Sequence, residues 1–382
     1  MRTIALTFSF DSSVKEVEAK GNLSAMSERI GAYGKKKFGG VLLVTQDTKN
    51  YSHVFAGVAR VTHVPSALLE TKFLKQLSYL LLGAWNLIAK RDSYGIVRAF
   101  GTACPHAAIA RVITGKPLVV SYHYDWSLQT GMRRGAVAGE IAGLLERFVL
   151  RSADLVVALT PALEEKAKKI GAKKIVVIPN FVDTNEFRPG LPHADIERKY
   201  GLKKKRVVIF VGRLHPVKRV DALIRAHKKV QEKIPNSVLL ICGEGAEKEK
   251  LKTLSRELNT RGVIFCGRVP RQEVPKYLCA ADVFALPSAI EGQPNALVEA
   301  LACGLPVVGT DVEGTRDTVE DRRTGLLVQV GDTSALAGAI IRLLGNEKLR
   351  REMAARCRKT ALERYSKKKL LAKENAILAK ML

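Results

Sequence analysis

Two glutamates stand eight residues apart across a turn, in a segment that changes from strand-like to helix-like. Glu291 and Glu299 flank the run Gly-Gln-Pro-Asn, and a helix-forming run, Ala296–Cys303, follows it. In open α/β sheets, ligands bind beyond the carboxyl ends of the strands, beside the unpaired N–H groups of the next helix. We therefore expect both carboxylates to face one site for an anionic or hydroxyl-rich ligand.

A second group of candidate residues follows the predicted strand Val207–Val211. Gly212 allows the backbone to turn sharply out of that strand. The cations Arg213 and Lys218 flank the turn, just before a helix expected near Val220. Two cations beside a helix N-terminus are typical of a phosphate site. The alternative is ordinary surface charge, because 63 residues of the chain are Lys or Arg.

Together these segments resemble the retaining glycosyltransferases of family four, whose fold is called GT-B. The likeness rests on the E-x7-E element inside EGQPNALVEALACGLPVV and on the GR…K element that begins at Gly212. It implies an α/β protein with two Rossmann-like doubly wound domains facing a cleft. It also implies an enzyme that moves a hexose from a UDP- or GDP-linked sugar to a hydroxyl of a glycan or lipid-linked acceptor, with retention at the anomeric carbon.

The resemblance assigns roles to the charged residues. Arg213 and Lys218 hold the diphosphate, and Glu291 lies near the donor sugar, so these three are taken as catalytic candidates. Glu299 accepts hydrogen bonds from the ribose hydroxyls. Arg219 departs from the family pattern, which usually has glycine after the lysine.

Most other contacts with the donor are expected from the backbone. The segment VIFCGRV resembles the part of the family that contacts the nucleotide base, and main-chain recognition leaves uracil and guanine both open. The residues expected to bind the donor are Gly212, Arg268, Val269, Gly292, Gln293, Pro294, Asn295 and Glu299.

A histidine is the main candidate in the first half of the chain. His123 follows the strand-like run Val119–Tyr122, and family members often carry a histidine there, near the reacting sugar. It is taken as a catalytic candidate, with a capped loop histidine as the alternative. Trp126 is equally compatible with stacking on a sugar and with the core, and Asn180 is expected to shape the hinge between the domains.

The acceptor side departs from the family pattern. Many members carry a glycine-rich loop after the first strand, whereas here Phe10 is followed by Asp11 and Ser12, and the next glycine is Gly21. No acceptor residue is assigned in this region.

Strand-like and helix-like segments alternate through the chain, which predicts two doubly wound α/β domains in series. The acceptor-side domain is expected at 1–185 and the nucleotide-sugar domain at 186–365, with a linker near Phe181–Pro192. In the resembled fold, a C-terminal helix, here 366–382, crosses back to the first domain. In the first half, strands are expected at Ile4–Phe10, Val41–Thr45, Ile96–Phe100, Pro117–Tyr122, Leu155–Leu159 and Ile175–Pro179, and helices at Phe73–Lys90, Thr102–Ile113, Arg134–Ser152 and Pro161–Ile170.

Neither a metal ion nor another cofactor is expected. The sequence has no D-x-D pair for a metal, and Arg213 and Lys218 offer positive charge to the diphosphate instead. The run Gly243-Glu244-Gly245 lacks the third glycine of a dinucleotide fingerprint, which argues against a hydride-transfer cofactor.

The net charge of +26 suits anionic partners, although solubility alone could account for it. The apolar run Leu77–Ala89 is shorter than the roughly 20 residues that span a bilayer. It permits a peripheral contact with the inner membrane face and a polyprenyl-type acceptor, but packing in the core is the favoured interpretation. Scattered cysteines without a C-x-x-C pair predict a reduced, cytoplasmic protein.

Other functions stay open at this point. A nucleotide-sugar epimerase or a sugar phosphorylase would share the two-domain architecture. A non-catalytic basic protein could bind nucleic acid through its charge, but the sequence has no helix-turn-helix, zinc or aromatic RNA-binding signature. We therefore expect a nucleotide sugar as partner and no specific nucleic acid.

Overall fold

The computed structural model describes residues 3–8, 41–46, 61–65 and 72–381. The chain divides into two compact units, Met1–Ile178 with Leu370–Leu382, and Pro179–Lys369. The predicted linker Phe181–Pro192 therefore lies within the second unit. The segment around Gly21, where the sequence departs from the family pattern, lies outside the described residues.

Seven parallel strands form the sheet of the first unit. They are β1 Ile4–Phe8, β2 Val41–Thr45, β3 Val61–Pro65, β4 Ile96–Phe100, β5 Leu118–Tyr122, β6 Leu155–Ala158 and β7 Ile175–Val177. Their order is β3-β2-β1-β4-β5-β6-β7. β1, β2, β4 and β5 are buried along their whole length, as expected for parallel strands covered on both faces. The sequence pattern did not reveal β3, and the predicted end of β1 at Phe10 lies outside the described residues.

A row of helices packs beside this sheet. They are α1 Lys72–Ala89, α2 Pro105–Thr114, α3 Trp126–Arg134, α4 Ala136–Ser152 and α5 Pro161–Ile170, and a 3-10 turn, Arg91–Ser93, precedes β4. α1 packs against α2, α2 against α4, and α4 against α5, while α3 lies along α4. We call these five helices the helical layer.

The predicted helix Arg134–Ser152 is wrong at its start. Arg134 is the last residue of α3, and Gly135, with a φ of 93°, turns the chain before α4 begins at Ala136. Glycine adopts this left-handed φ at little steric cost. The sequence did not predict α3, which ends where the predicted helix was expected to begin.

The second unit repeats the plan with six parallel strands. They are β8 Arg206–Val211, β9 Ser237–Cys242, β10 Val263–Gly267, β11 Val283–Leu286, β12 Val307–Thr310 and β13 Gly325–Val328. Their order is β10-β9-β8-β11-β12-β13. In both units the strand order reverses once, between β1 and β4 and between β8 and β11. Such a reversal opens the crevice in which doubly wound sheets bind their ligands, and the fold is the expected pair of Rossmann-like domains.

The remaining described helices follow β7 in the chain. They are α6 Ala194–Tyr200, α7 Val220–Lys233, α8 Lys248–Glu257, α9 Val274–Cys279, α10 Asn295–Ala302, α11 Glu313–Arg316, α12 Thr333–Gly345, α13 Glu347–Arg364 and α14 Lys367–Ala379, with a 3-10 turn at Pro216–Lys218. Asp332 caps α12 through its side chain. From Leu370 onward the chain belongs to the first unit.

Candidate functional site

Two loops of the second unit meet at the reversal in strand order. The loop from Gly212 to Arg219 follows β8, and the loop from Pro287 to Pro294 follows the neighbouring strand β11. The predicted residues Arg268 and Val269 follow β10, two strands away from β8. All the donor-site residues predicted from the sequence thus follow the carboxyl ends of parallel strands in one unit, the usual ligand position in this fold.

The β8 loop is held against the loop that follows β9. The N–H of Gly212 donates to the carbonyl oxygen of Cys242 at 3.0 Å, and the N–H of Leu214 donates to that of Glu244 at 2.9 Å. A Cβ atom at Gly243 would overlap the carbonyl oxygen of Gly212, and one at Gly245 would overlap that of Leu214. The two glycines that resemble half a dinucleotide fingerprint therefore permit close packing of two loops.

Lys218 and Glu291 join the β8 loop to the β11 loop. The Nζ of Lys218 lies 2.5 Å from Oε1 of Glu291, and the exposed fractions of the two side chains are 20% and 7%. The N–H of Ala289 also donates to the carbonyl oxygen of Val217 at 2.8 Å. Lys218 and Glu291 thus form an ion pair that is largely shielded from water, at the place where the strand order of the sheet reverses.

Arg213 supplies a cation that is free to meet a ligand. Its side chain is exposed, and it has no hydrogen-bond or ion-pair partner among the residues that the structure describes. The neighbouring Arg219 adopts a left-handed backbone, with φ 49° and ψ 40°, at the position where the resembled family usually has glycine. Arg219 thus replaces the usual glycine but keeps a backbone conformation that glycine adopts more easily.

The loop from Glu291 to Asn295 is fixed by backbone and amide contacts. The N–H of Gly314 donates to the carbonyl oxygen of Glu291 at 3.3 Å, and a Cβ atom at Gly314 would overlap the carbonyl oxygen of Gly292. Asn180 donates its backbone N–H to Oε1 of Gln293 at 2.5 Å and its side-chain amide to the carbonyl oxygen of Gln293 at 2.9 Å. Asn180 therefore holds this loop, a contact that its expected hinge role did not include.

The N-terminus of α10 lies at the end of this loop. Pro294 is its N-cap, no side chain caps its first amides, and Asn295 is exposed. Uncapped N–H groups at a helix start attract anions and hydroxyl oxygens. Leu297 and Val298, one turn on, are buried in the core as the sequence predicts.

Glu299 is buried and is paired with a residue that the sequence did not single out. The Nη1 of Arg271 lies 2.9 Å from Oε1 of Glu299, whose side chain is 10% exposed. Burial raises the pKa of Glu299, and the charge and hydrogen bond of Arg271 oppose that rise. Arg271 lies two residues beyond the predicted base-contacting segment VIFCGRV, so its nearness to that segment was the only signal. Arg268 itself is exposed and Val269 is half-buried.

His123 lies in the first unit, at the carboxyl end of β5, and is half-buried. His123 therefore lies in a different unit from the predicted donor-site residues. The next residues hold the start of α3: Asp125 accepts from the N–H of Leu128 at 2.8 Å, and the N–H of Trp126 donates to Oε1 of Glu146 at 3.1 Å. Asp125 and Trp126 thus have structural contacts of their own.

Glu146 was not predicted from the sequence and is 1% exposed. It accepts from the hydroxyl of Thr102 at 2.9 Å, and Lys166 contacts both Glu146 and Asp125. Burial raises the pKa of Glu146, while Lys166 and Thr102 lower it. Only the fold could reveal this cluster, because its members come from four separate segments of the chain.

Among the described residues, no cluster of three or more His, Cys, Asp or Glu side chains could bind a metal ion. None of the described helices has the length and apolar character to span a membrane.

Two known protein families together match most of the chain. Residues 193–360 match the family described as Glycosyl transferases group 1, and residues 40–186 match Glycosyltransferase Family 4. One relative is the GDP-mannose-dependent alpha-(1-6)-phosphatidylinositol monomannoside mannosyltransferase of Mycolicibacterium smegmatis. It is 30% identical over 285 residues, which cover 70% of this chain and 72% of the relative.

A second relative and a solved structure agree with this match. The UDP-Gal:alpha-D-GlcNAc-diphosphoundecaprenol alpha-1,3-galactosyltransferase of Escherichia coli is 29% identical over 309 residues, 78% of each protein. HepE from Anabaena, solved with UDP and glucose, superposes with a TM-score of 0.79 at 22% identity and covers 100% of both chains. At this identity, the structural likeness concerns the fold alone.

Proposed function

Since the chain belongs to the glycosyl transferases of group 1, within glycosyltransferase family 4, we propose that it is a retaining hexosyltransferase that needs no metal ion. Its donor is a nucleotide sugar, linked to UDP or GDP. The observation that carries the proposal is the meeting of Lys218 and Glu291 beside the free cation Arg213 and the uncapped start of α10.

The charges suit a diphosphate leaving group. Arg213 and Lys218 would neutralise the negative charge that grows on the diphosphate as the bond from the anomeric carbon to its oxygen breaks. The N–H groups at the start of α10 would donate hydrogen bonds to oxygens of the sugar hydroxyls or of the β-phosphate. These fixed cations supply the charge compensation that a metal ion provides in other transferases, which is why we propose a metal-independent reaction.

Retention follows if bond formation and bond breaking occur on one face of the sugar. The acceptor oxygen forms its bond to the anomeric carbon, and the acceptor proton passes to the departing diphosphate oxygen. Glu291 would then hold Lys218 and the donor sugar in position without becoming a nucleophile, and His123 is retained as a catalytic candidate. The ribose hydroxyls would bind Glu299, whose ionised form the ion pair with Arg271 favours.

The acceptor is proposed to be a glycan or a polyprenyl-type lipid-linked sugar, at the cytoplasmic face of the inner membrane. The names of the two relatives support this class, because one acts on a phosphatidylinositol mannoside and the other on a diphosphoundecaprenol-linked sugar. Those names also differ in the base of the donor, GDP in one and UDP in the other, so measurement must choose between them.

Thermal unfolding with a panel of UDP- and GDP-sugars tests the donor site. A ligand present at a hundred times its Kd stabilises the folded state by about 2.7 kcal/mol, so one nucleotide class should raise Tm. Lys218→Ala and Glu299→Ala should abolish that rise. Lys203→Ala and Glu232→Ala are matched controls, because both residues are exposed in the same unit and away from these loops.

The outcomes separate the proposal from its competitors. If no nucleotide sugar raises Tm, the donor assignment is wrong. A donor that binds but is epimerised, or that is consumed only with phosphate, would contradict transfer and favour the epimerase or phosphorylase alternative. Transfer that persists in EDTA supports the metal-independent reaction, and the anomeric coupling constant of the product reports retention or inversion.

A further inference from the structure

The outer surface of the helical layer is apolar to an unusual degree. Among the described residues, thirteen large hydrophobic side chains are exposed, and eleven of them lie on α1 to α4. Scattered exposed hydrophobics are normal, but a concentration on one surface marks a site of contact. The eleven are Leu77, Leu81, Trp85, Val112, Ile113, Leu128, Met132, Val137, Ile141, Leu144 and Phe148.

Helix α4 carries two apolar stripes where a surface helix needs one. Val149 and Leu150 belong to its buried side and are fully enclosed. Its other stripe, Val137, Ile141 and Leu144, is 71%, 55% and 63% exposed and repeats at helical spacing. The buried stripe anchors α4 to the sheet, so the second stripe is not needed for the fold of this unit.

The exposed stripe of α4 is presented on a rigid support. Helix α3 approaches α4 so closely that a Cβ atom at Gly139 would lie 2.8 Å from the Cα atom of Gly131. The bond from the N–H of Trp126 to the buried Glu146 fixes the other end of the pair. Leu128 and Met132 of α3 are 53% and 62% exposed beside this contact. Close packing on one side and exposure on the other point to an external partner.

Helix α1 extends the same surface. Leu77, Leu81 and Trp85 recur every four residues and are 44%, 63% and 65% exposed, whereas Tyr79 and Leu87 of the same helix are fully buried. The core packing favoured from the sequence therefore describes one side of α1 only. A half-exposed tryptophan on an apolar stripe is typical of side chains at a membrane–water interface.

A basic groove borders the apolar stripe of α4. It measures about 810 Å³ and is lined by Leu144, Arg147, Phe148, Arg151, Lys166 and Lys169. Arg147 and Lys169 are exposed and have no ion-pair partner among the residues that the structure describes. Arg151 donates to the carbonyl oxygen of Ile170 and keeps its charge.

The acidic groups near the groove do not cancel these cations. Glu146 is buried and contacts Lys166, and Glu164 and Glu165 are both paired with Lys168. Only Glu140 is an exposed acidic residue of α4 without a partner in the described chain. The groove and its rim therefore keep a positive charge that complements phosphate groups.

We propose that the helical layer of the first unit docks on the surface of an anionic lipid bilayer. Leu144 and Phe148 would enter the boundary between head groups and acyl chains, and Arg147, Arg151 and Lys169 would contact lipid phosphates. An apolar stripe with cations at its edge is the pattern of helices that lie in the membrane interface. A second copy of this chain fits less well, because two such cationic grooves would repel each other.

Docking on a bilayer would bring the enzyme to the lipid-linked acceptor of the proposed function. In this respect the docking surface rests on the proposed function. Its measurement is separate, because vesicle binding needs neither a nucleotide sugar nor transfer. Loss of donor binding with intact vesicle binding would contradict the proposed function alone, and the reverse result would contradict the docking surface alone.

Co-sedimentation of the whole chain with vesicles tests the surface. The protein should bind vesicles of phosphatidylcholine with about one third phosphatidylglycerol, bind pure phosphatidylcholine weakly, and lose affinity as salt increases. The double variant L144Q/F148Q and the double variant R147Q/K169Q should each weaken binding about tenfold or more. The double variant V330Q/L362Q, at the two exposed hydrophobic side chains of the second unit, is the matched control and should bind like the wild type.

Three results would overturn the proposal. One is a wild-type chain that does not sediment with the anionic vesicles. Another is unchanged binding of L144Q/F148Q while its Tm and its donor-induced rise in Tm match the wild type. The third is a dimer, measured by sedimentation equilibrium, that becomes a monomer in L144Q/F148Q, since the stripe would then be an interface between copies.

Discussion

Lys218 and Glu291 form an ion pair at 2.5 Å across the two loops that meet where the second sheet reverses its strand order. They are 73 positions apart in the sequence, and each follows a different strand. The pair holds the cation in place before any ligand arrives, so binding of the proposed diphosphate would require less ordering.

Breaking this pair should affect both folding and binding. Lys218→Met leaves Glu291 shielded from water without its cation, so we expect a loss of about 1–3 kcal/mol in the free energy of unfolding, and donor affinity should fall about ten- to hundredfold. Urea unfolding and a donor titration measure the two effects. The double variant K218M/E291Q should recover stability but not affinity. Recovery of affinity as well would show that Lys218 acts only through the fold.

Arg271 should control the protonation of Glu299. Because Arg271 opposes the rise in the pKa of Glu299, Arg271→Met should raise that pKa further. On lowering the pH, Glu299 would then take up its proton earlier, and donor affinity should decline at a higher pH than in the wild type. The folded state would bind this proton more tightly than the unfolded state, so the stability of the variant should increase as pH falls towards the ordinary carboxyl range.

Affinity measured across a pH series tests this relation. Arg256→Met, at an exposed position of α8, is the control and should leave the profile unchanged. Identical profiles for the wild type and Arg271→Met would mean that Glu299 does not contact the donor.

Replacing Arg219 with glycine should not destabilise the fold, unlike the same replacement at most positions. Its left-handed backbone costs an ordinary residue about 1 kcal/mol, so Arg219→Gly should stabilise the fold by about 0.5 kcal/mol after the extra freedom of the unfolded chain is counted. Arg225→Gly, at an exposed position inside α7, should instead destabilise by about 1 kcal/mol. Chemical unfolding of both variants makes the comparison, and equal destabilisation would contradict the backbone argument.

Arg98 and Glu374 should anchor the C-terminal helix to the first unit. Their side chains are 0% and 1% exposed and meet at 2.8 Å, joining β4 to α14. Glu374→Ala leaves a buried guanidinium without its partner and should cost about 3–5 kcal/mol, with faster proteolysis within α14. The double variant R98M/E374L should restore most of that loss. Lys380→Ala, an exposed neighbour, is the control, and an equally stable Glu374→Ala would contradict the anchoring role.

The sequence could group the candidate donor-site residues because they lie in a few local segments. Glu291 and Glu299 share one loop and the helix that follows it, and Gly212 to Lys218 is one turn after one strand. Spacing within such segments survives any arrangement of the strands. Continuous apolar runs likewise predicted most of the buried parallel strands, because a strand covered on both faces needs no polar alternation.

The short-range pattern failed where one residue changed the local geometry. Helix α3 was not predicted from the sequence, and Gly135, whose positive φ turns the chain, separates it from α4. The exposed apolar surface of the helical layer was not predicted from the sequence either. Periodicity marks the exposed stripe of α4 as apolar, but it cannot tell which of two apolar stripes faces the sheet.

By itself, the sequence determined the class of fold and indicated the segments proposed to carry the chemistry, since both depend on residues close together in the chain. The tertiary structure decided which distant residues meet: Lys218 with Glu291, Arg271 with Glu299, and Asn180 with Gln293. These pairs depend on the order of strands in the sheet and on the path of the loops between them. No local periodicity records that order, because it is selected by the packing of the whole unit.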